Sequence, residues 1–126
     1  MHYTIDLEQS LRCFVVTVSG PVSVPGLRAM IDDILKDGRW YEGVSLVVDY
    51  RLADLSNLTT DSVTGIVEYI MTITKKSDVN RIAHIVSRTV DFGMIRMWEI
   101  MMSERAPFDF RVFYSMDEAL AWIGSA

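Results

Sequence analysis

The segment VSLVVD at 44–49 constrains the fold more than any other part of the chain. It is apolar at almost every position, whereas a strand with one wet face alternates apolar and polar residues. A continuous apolar run of this length is typical of a parallel strand that is covered on both faces. A polar stretch to about Thr60 follows it, and then apolar residues recur at helical spacing at Val63, Ile66, Val67, Ile70 and Ile73. The sequence therefore predicts a strand-loop-helix unit of an α/β domain.

Strand and helix patterns alternate along the rest of the chain. Residues with high β propensity predict further strands at Tyr3–Leu7, Leu11–Val18, Arg81–Ser87 and Phe108–Tyr114. The short link Glu8-Gln9-Ser10 predicts that the first two strands pair antiparallel, with the first at the edge of the sheet, and Ser19-Gly20-Pro21 is expected to end the second.

Helical spacing and capping residues predict four helices. The first is capped by Ser23, carries Pro25 in its first turn and ends near Gly38, and the last follows a Ser115–Glu118 capping box. The second follows the loop to about Thr60, carries the apolar positions from Val63 to Ile73 and has Lys75 and Lys76 in its last turn. The third runs from about Phe92 to Glu104, between a capping Asp91 and Ala106-Pro107.

The resulting order is β-β-α-β-α-β-α-β-α. Strands separated by helices predict right-handed crossovers and a mixed, mostly parallel sheet of five strands with four helices. The 126 residues fit a single domain, 1–126.

Composition and charge exclude several classes of function. The formal net charge of −5 and the scattered lysines and arginines argue against a nucleic-acid partner. No apolar run approaches the ~18 residues of a membrane span, and the start MHYTIDLEQS lacks the features of a signal peptide. The single cysteine, Cys13, is expected to be a buried hydrophobe in a reducing, cytoplasmic setting.

Three short motifs carry a resemblance to a known family. They are the Gly38-Arg39-Trp40 turn before the strand that ends at Asp49-Tyr50-Arg51, the strand start Arg81-Ile82-Ala83, and V-F-x-x-x-D-E-A-x-x-W from Val112 to Trp122. With the element order, they resemble the STAS family, the fold of the bacterial anti-sigma-factor antagonists, and more closely a group of uncharacterised bacterial STAS-like proteins. The resemblance implies a βα superhelix and a non-enzymatic regulatory or protein-interaction module.

The STAS resemblance also implies a phosphorylatable serine at the start of the second helix, within a D-S-S-G-like segment. Here Asp61 and Ser62 match, but Val63-Thr64 follows them and Gly65 comes one position late. The topology is similar to that of lipid-carrying CRAL-TRIO domains too, which implies the alternative function of a small binding protein for an apolar or lipid-like ligand.

The loop after the third strand supplies the first set of candidate site residues. One interpretation is turn chemistry with a helix cap. The other is a partner-binding surface, with phosphorylation of Ser62 or Ser56, because ligands of α/β sheets bind at the carboxyl ends of strands. The candidates are Asp54, Ser56, Asn57, Thr60, Asp61 and Ser62.

The third helix supplies the second set, because it is apolar almost all round. Its excess apolar surface has three explanations: burial in the core, a subunit interface, or an apolar ligand groove lined by adaptable methionines. We predict self-association as a homodimer through this helix. The candidate residues are Met94, Met97, Trp98, Met101 and Met102.

No pattern of catalytic or metal-binding residues stands out. The sequence has no G-x-S-x-G, P-loop or G-x-G-x-x-G motif, so we expect neither an enzyme nor a cofactor. The two histidines are not paired at ligand spacing, which argues against a metal site, and His84 is expected to be a satisfied core residue. Asp49, Asp54 and Asp61 could form a carboxylate cluster, but without a second set of ligands the interpretation as solvated loop charges is favoured.

Overall fold

The computed structural model describes residues 1–73, 79–103, 105 and 108–125, and its elements follow the predicted order. The strands are β1 (His2–Glu8), β2 (Cys13–Pro21), β3 (Val44–Asp54), β4 (Val79–Ile85) and β5 (Asp109–Phe113). The helices are α1 (Val24–Lys36), α2 (Thr60–Ile73), α3 (Thr89–Ser103) and α4 (Met116–Ile123).

The strands form one sheet in the order β1-β2-β3-β4-β5. β1 pairs antiparallel with β2 at one edge, and every other pair is parallel. The predicted fold class and the antiparallel edge strand are therefore confirmed.

The two faces of the sheet are covered unequally. Helices α1, α2 and α3 share the larger core on one face, whereas α4 packs against β3, β4 and β5 on the other. The smaller core beneath α4 contains Cys13, Val47, Ala83, Ile85, Ala119 and Ile123. The first seven residues of β3 are buried, as the continuous apolar run predicted.

Local capping chemistry holds two of the helix ends. Ser23 caps α1 by accepting a hydrogen bond from the Gly26 N–H at 3.1 Å, and Ser115 caps α4 by accepting one from the Glu118 N–H at 3.3 Å. Both caps were predicted, and each satisfies a backbone donor that the helix itself leaves free.

Several predicted boundaries were wrong; β4, for example, spans Val79–Ile85 and not Arg81–Ser87. β2 continues through Ser19-Gly20-Pro21, because Gly20 takes a φ of 78° that glycine tolerates and the pairing with β3 is kept. β3 continues to Asp54, because its last residues pair with Ser19-Gly20-Pro21 of β2. α3 begins at Thr89, so Asp91 lies buried in its first turn and is not the cap. Lys75, Lys76, Glu104 and Ala106-Pro107 lie outside the described residues.

Candidate functional site

A β-bulge interrupts β3 where its buried part ends. Thr17 of β2 pairs with Asp49, but Ser19 pairs with Leu52, so Tyr50 and Arg51 together stand opposite Val18. A bulge of two residues against one bends a strand and re-aims the side chains around it. Leu52 consequently shares a face with Ser19, while Tyr50 stays in the larger core.

Arg51 and Asp49 are joined across this bulge. The Asp49 carboxylate accepts hydrogen bonds from the Arg51 backbone N–H at 3.0 Å and from its Nε and Nη2 at 2.9 and 2.8 Å. Burial opposes ionisation of Asp49, but these bonds and the guanidinium charge outweigh it, and the pKa of Asp49 lies below its usual value. The interpretation of Asp49 as a solvated loop charge was wrong, because Asp49 is buried in β3 and forms an ion pair with the exposed Arg51.

The loop between β3 and α2 is held by its own polar side chains. Asp54 Oδ1 accepts a hydrogen bond from the Ser56 N–H at 2.9 Å, and this bond, with the nearby charge of Arg88, lowers the pKa of Asp54. Thr59 caps α2, since its Oγ1 lies 3.1 Å from the Ser62 N–H nitrogen and its carbonyl accepts from Val63. Turn chemistry and capping therefore occur in this loop as expected.

The structure brings the six loop candidates together at the carboxyl end of β3. Asp54, Ser56, Asn57, Thr60 and Asp61 are exposed. Ser62 is half-buried, and its Oγ lies 3.1 Å from Thr59 Oγ1. Ser56 and Ser62 thus differ in accessibility, because the Ser62 hydroxyl contacts the capping residue Thr59.

Large apolar side chains are exposed at the same end of the sheet. We call this surface the carboxyl edge and define it as Arg51–Ser62, Ser87–Val90 and Tyr114. Leu52 is 71% exposed, Val90 62% and Tyr114 48%, and the Tyr114 ring stacks on Phe92 at 4.5 Å between centroids. Sequence reasoning did not single out these three: Leu52 lies in the stretch that was interpreted as a polar loop, and Tyr114 lies at the end of a predicted strand.

The third helix uses most of its apolar residues in the core. Ile95, Trp98 and Met102 are buried, and Met94, Met97 and Met101 are half-buried against the larger core. Val90 in the first turn and Ile100 on the outer side are exceptions, with 62% and 57% of their surface exposed. Core burial accounts for one stripe of α3, while the outer face remains available for the predicted self-association.

A cluster of four aromatic rings lies buried beneath α3. The His84 ring stacks on Tyr50 at 5.4 Å and lies 5.3 Å from Trp98 and 4.3 Å from Phe110. Burial lowers the pKa of His84 to about 3 and raises that of Tyr50. We name these four residues the aromatic cluster.

Three polar atoms of the aromatic cluster are buried without a hydrogen-bond partner among the described residues. They are Tyr50 Oη, His84 Nδ1 and Trp98 Nε1. The expectation that His84 is a satisfied core residue was therefore only half correct: it is in the core, but its Nδ1 has no hydrogen-bond partner. Leaving a buried polar group unpaired costs about 1–3 kcal/mol.

An apolar pocket lies at the opposite, amino end of the sheet, between α1 and α2. It encloses about 60 Å³. Its walls come from both helices, from the turn that carries Trp40, from β3 and β4, and from Phe108. Leu46 and Ile82 line its floor, so the pocket lies on the same face of the sheet as the aromatic cluster.

Neither a metal-binding group nor a membrane-spanning helix is present among the described residues. No group of three or more His, Cys, Asp or Glu side chains within 1–73, 79–103, 105 and 108–125 could hold a metal ion. No helix within the same ranges combines the length and the hydropathy needed to cross a membrane.

Comparison with known structures identifies the fold. The chain is similar to an uncharacterised protein of the DUF3478 family from Shewanella loihica PV-4, which has a SpoIIAA-like fold. The two share 14% identity over 97% of this chain and 92% of that chain, with a TM-score of 0.62. No protein-family model and no curated protein matches the chain. The protein therefore has a SpoIIAA-like fold, which is the STAS-like fold that the sequence predicted.

Proposed function

We propose that the protein is a non-enzymatic regulatory or protein-interaction module, and that it binds a protein partner at the carboxyl edge. The observation that carries the proposal is the exposure of Leu52, Val90 and Tyr114 at one end of the sheet. Exposed apolar side chains that are rimmed by polar residues are typical of protein-binding surfaces. The proposed setting is the cytoplasm of a bacterium, and the proposed form is a homodimer.

The polar rim supports this location. Asp54, Ser56, Asn57, Thr60 and Asp61 are exposed beside the apolar side chains, and Arg88 lies near enough to Asp54 to lower its pKa. A partner that covers Leu52 would meet both charge signs within the same surface. Such a mixture favours a specific orientation over general attraction.

Affinity purification from the native cell tests the proposal. Wild-type protein should retain a specific partner, whereas Leu52→Ser or Val90→Ser should lose most of it, because truncating an apolar side chain at the centre of an interface removes its burial. Asn80→Ser is the control, since Asn80 is exposed at the amino end of β4, away from the carboxyl edge. Equal loss in all three variants, or no loss in any, would contradict binding at the carboxyl edge.

Phosphorylation of the loop is a further part of the proposal. Ser56 is exposed, whereas the Ser62 hydroxyl contacts Thr59, so Ser56 is the more accessible of the two. A phosphate on either residue would make the surface that meets the partner more negative, and Asp54 and Asp61 would repel it. Mass-spectrometric mapping of the protein from native cells should find phosphate on Ser56 or Ser62, and unmodified peptides covering both would contradict this part.

The apolar pocket favours a second candidate function, binding of an apolar or lipid-like ligand. Its lining residues are all apolar. Its volume of about 60 Å³ is below the ~300–1,000 Å³ of typical ligand sites, so the pocket would have to widen. Native mass spectrometry of protein from its own cell should then show a retained lipid, and Leu35→Trp at the pocket wall should reduce it. Protein that carries no bound mass would contradict this function.

A further inference from the structure

Three hydrogen-bonding groups of one buried cluster are unused. Tyr50, His84 and Trp98 are 2%, 3% and 3% exposed, and their polar atoms Oη, Nδ1 and Nε1 have no partner among the described residues. In folded proteins the great majority of buried polar groups are paired. The three residues come from β3, β4 and α3, so the geometry of a single turn or strand does not explain why their polar atoms lack partners.

The chemistry of the three groups restricts what could bind them. The indole N–H of Trp98 only donates, the Tyr50 hydroxyl donates or accepts, and a neutral imidazole can do either at Nδ1. A carbonyl oxygen accepts from two such donors. The rings of the cluster, including Phe110, offer faces and edges to a flat apolar body.

The charge of the site restricts the ligand further. The rings that contact His84 belong to Tyr50, Trp98 and Phe110, and none of these carries a charge at neutral pH. A charged ligand would be buried there without a counter-charge, which is costly.

We infer that the aromatic cluster is a closed binding site for a small uncharged ligand with a carbonyl-type acceptor on a flat apolar body. Because the three groups are buried beneath α3, a ligand can reach them only if α3 moves away from the sheet, and the half-buried Met94, Met97 and Met101 can adapt to its shape. The site is separate from the carboxyl edge, so it does not depend on the docking proposal.

The apolar pocket provides space next to this site. Ile82 lines the pocket and lies two residues before His84 on β4. Residues two apart on a strand share a face. The apolar body of a ligand bound at the cluster can therefore extend towards the pocket.

The test uses two probes of matched shape, acetophenone and ethylbenzene, of which only the ketone has an acceptor. Titration of the ¹⁵N-labelled protein should move the indole N–H resonance of Trp98 with the ketone, while Trp40 and Trp122 serve as internal references. Saturation at ten times the dissociation constant should raise Tm by roughly 3–6 °C. An unmoved Trp98 resonance, or an equal effect of ethylbenzene, would overturn the inference.

A pair of variants separates hydrogen bonding from packing. Tyr50→Phe removes only the hydroxyl and should weaken ketone binding by about threefold to tenfold. Tyr114→Phe, on the carboxyl edge, is the matched control and should leave binding unchanged. Equal binding by Tyr50→Phe and wild type would overturn the role of the hydroxyl. If that variant fails to fold, the Trp98 resonance of the wild type still shows whether the ketone binds at the aromatic cluster.

Discussion

Replacing Asp49 with alanine should destabilise the bulge of β3. The Asp49 carboxylate accepts three hydrogen bonds from Arg51, one of them from a backbone N–H. Without the carboxylate, this N–H loses its acceptor, while the Arg51 side chain, 41% exposed, is partly solvated by water. Since a bond to a charged group contributes about 1.5–3 kcal/mol and exposure reduces that value, we expect a total loss of about 1–3 kcal/mol.

The same pair gives the stability a pH dependence. The pKa of Asp49 is lowered in the folded protein, so the unfolded chain binds a proton more readily. The contribution of Asp49 should be complete above the unfolded pKa of about 4 and should be lost as the pH falls through the folded pKa. The difference between wild type and Asp49→Ala should therefore shrink on acidification.

Urea unfolding followed by circular dichroism measures both effects. At pH 7 the variant should unfold at a lower urea concentration with an unchanged slope, and at pH 3 the two midpoints should approach each other. Asp109→Ala is the control, because Asp109 is an exposed strand aspartate. A variant with the wild-type midpoint, or a difference that is the same at both pH values, would refute the account of the ion pair.

Three further predictions concern the cap, the cysteine and the third helix. Thr59→Ala should cost about 1 kcal/mol in urea unfolding, whereas Thr60→Ala should cost less, because Thr59 caps α2. Cys13 should react with iodoacetamide only as the protein unfolds, since burial, with the charge of Glu8, raises its pKa to about 11; rapid labelling of native protein would contradict this. Ile100→Glu should raise the dimer dissociation constant at least about tenfold in light scattering, by burying a charge, and a wild type that is monomeric at micromolar concentration would refute self-association.

The order of elements could be predicted because it depends on local patterns. The apolar run at 44–49 identifies a covered parallel strand, and Ser23 and Ser115 identify two helix starts. Both kinds of signal come from a few neighbouring residues, and neither needs knowledge of what lies across the sheet.

The bulge could not be predicted, because it depends on pairing between distant segments. Simple alternation would place Leu52 on the same face as Tyr50 and therefore in the core. The extra residue opposite Val18 moves Leu52 to the other face, where it is exposed. The sequence thus singled out the polar loop of the carboxyl edge as a candidate site, but the apolar part of this surface was not foreseen.

The aromatic cluster was missed for a related reason. Its rings come from β3, β4, α3 and β5, and only the assembled sheet brings them into contact. A lone histidine in a strand gives no sign of whether its neighbours can accept or donate a hydrogen bond. The methionines of α3 were visible in the sequence, but their place over the sheet was not.

The bulge also connects the carboxyl edge with the aromatic cluster, since Arg51 and Tyr50 are consecutive residues opposite Val18. The Asp49–Arg51 pair fixes the backbone on which the Tyr50 ring is held against His84. Removing the carboxylate should therefore change the environment of the Tyr50 hydroxyl, and Asp49→Ala and Tyr50→Phe should be non-additive by about 0.5 kcal/mol or more in a double-mutant cycle. Additivity to within about 0.3 kcal/mol would show that the backbone holds the bulge without the ion pair. The carboxyl edge and the aromatic cluster would then be energetically independent.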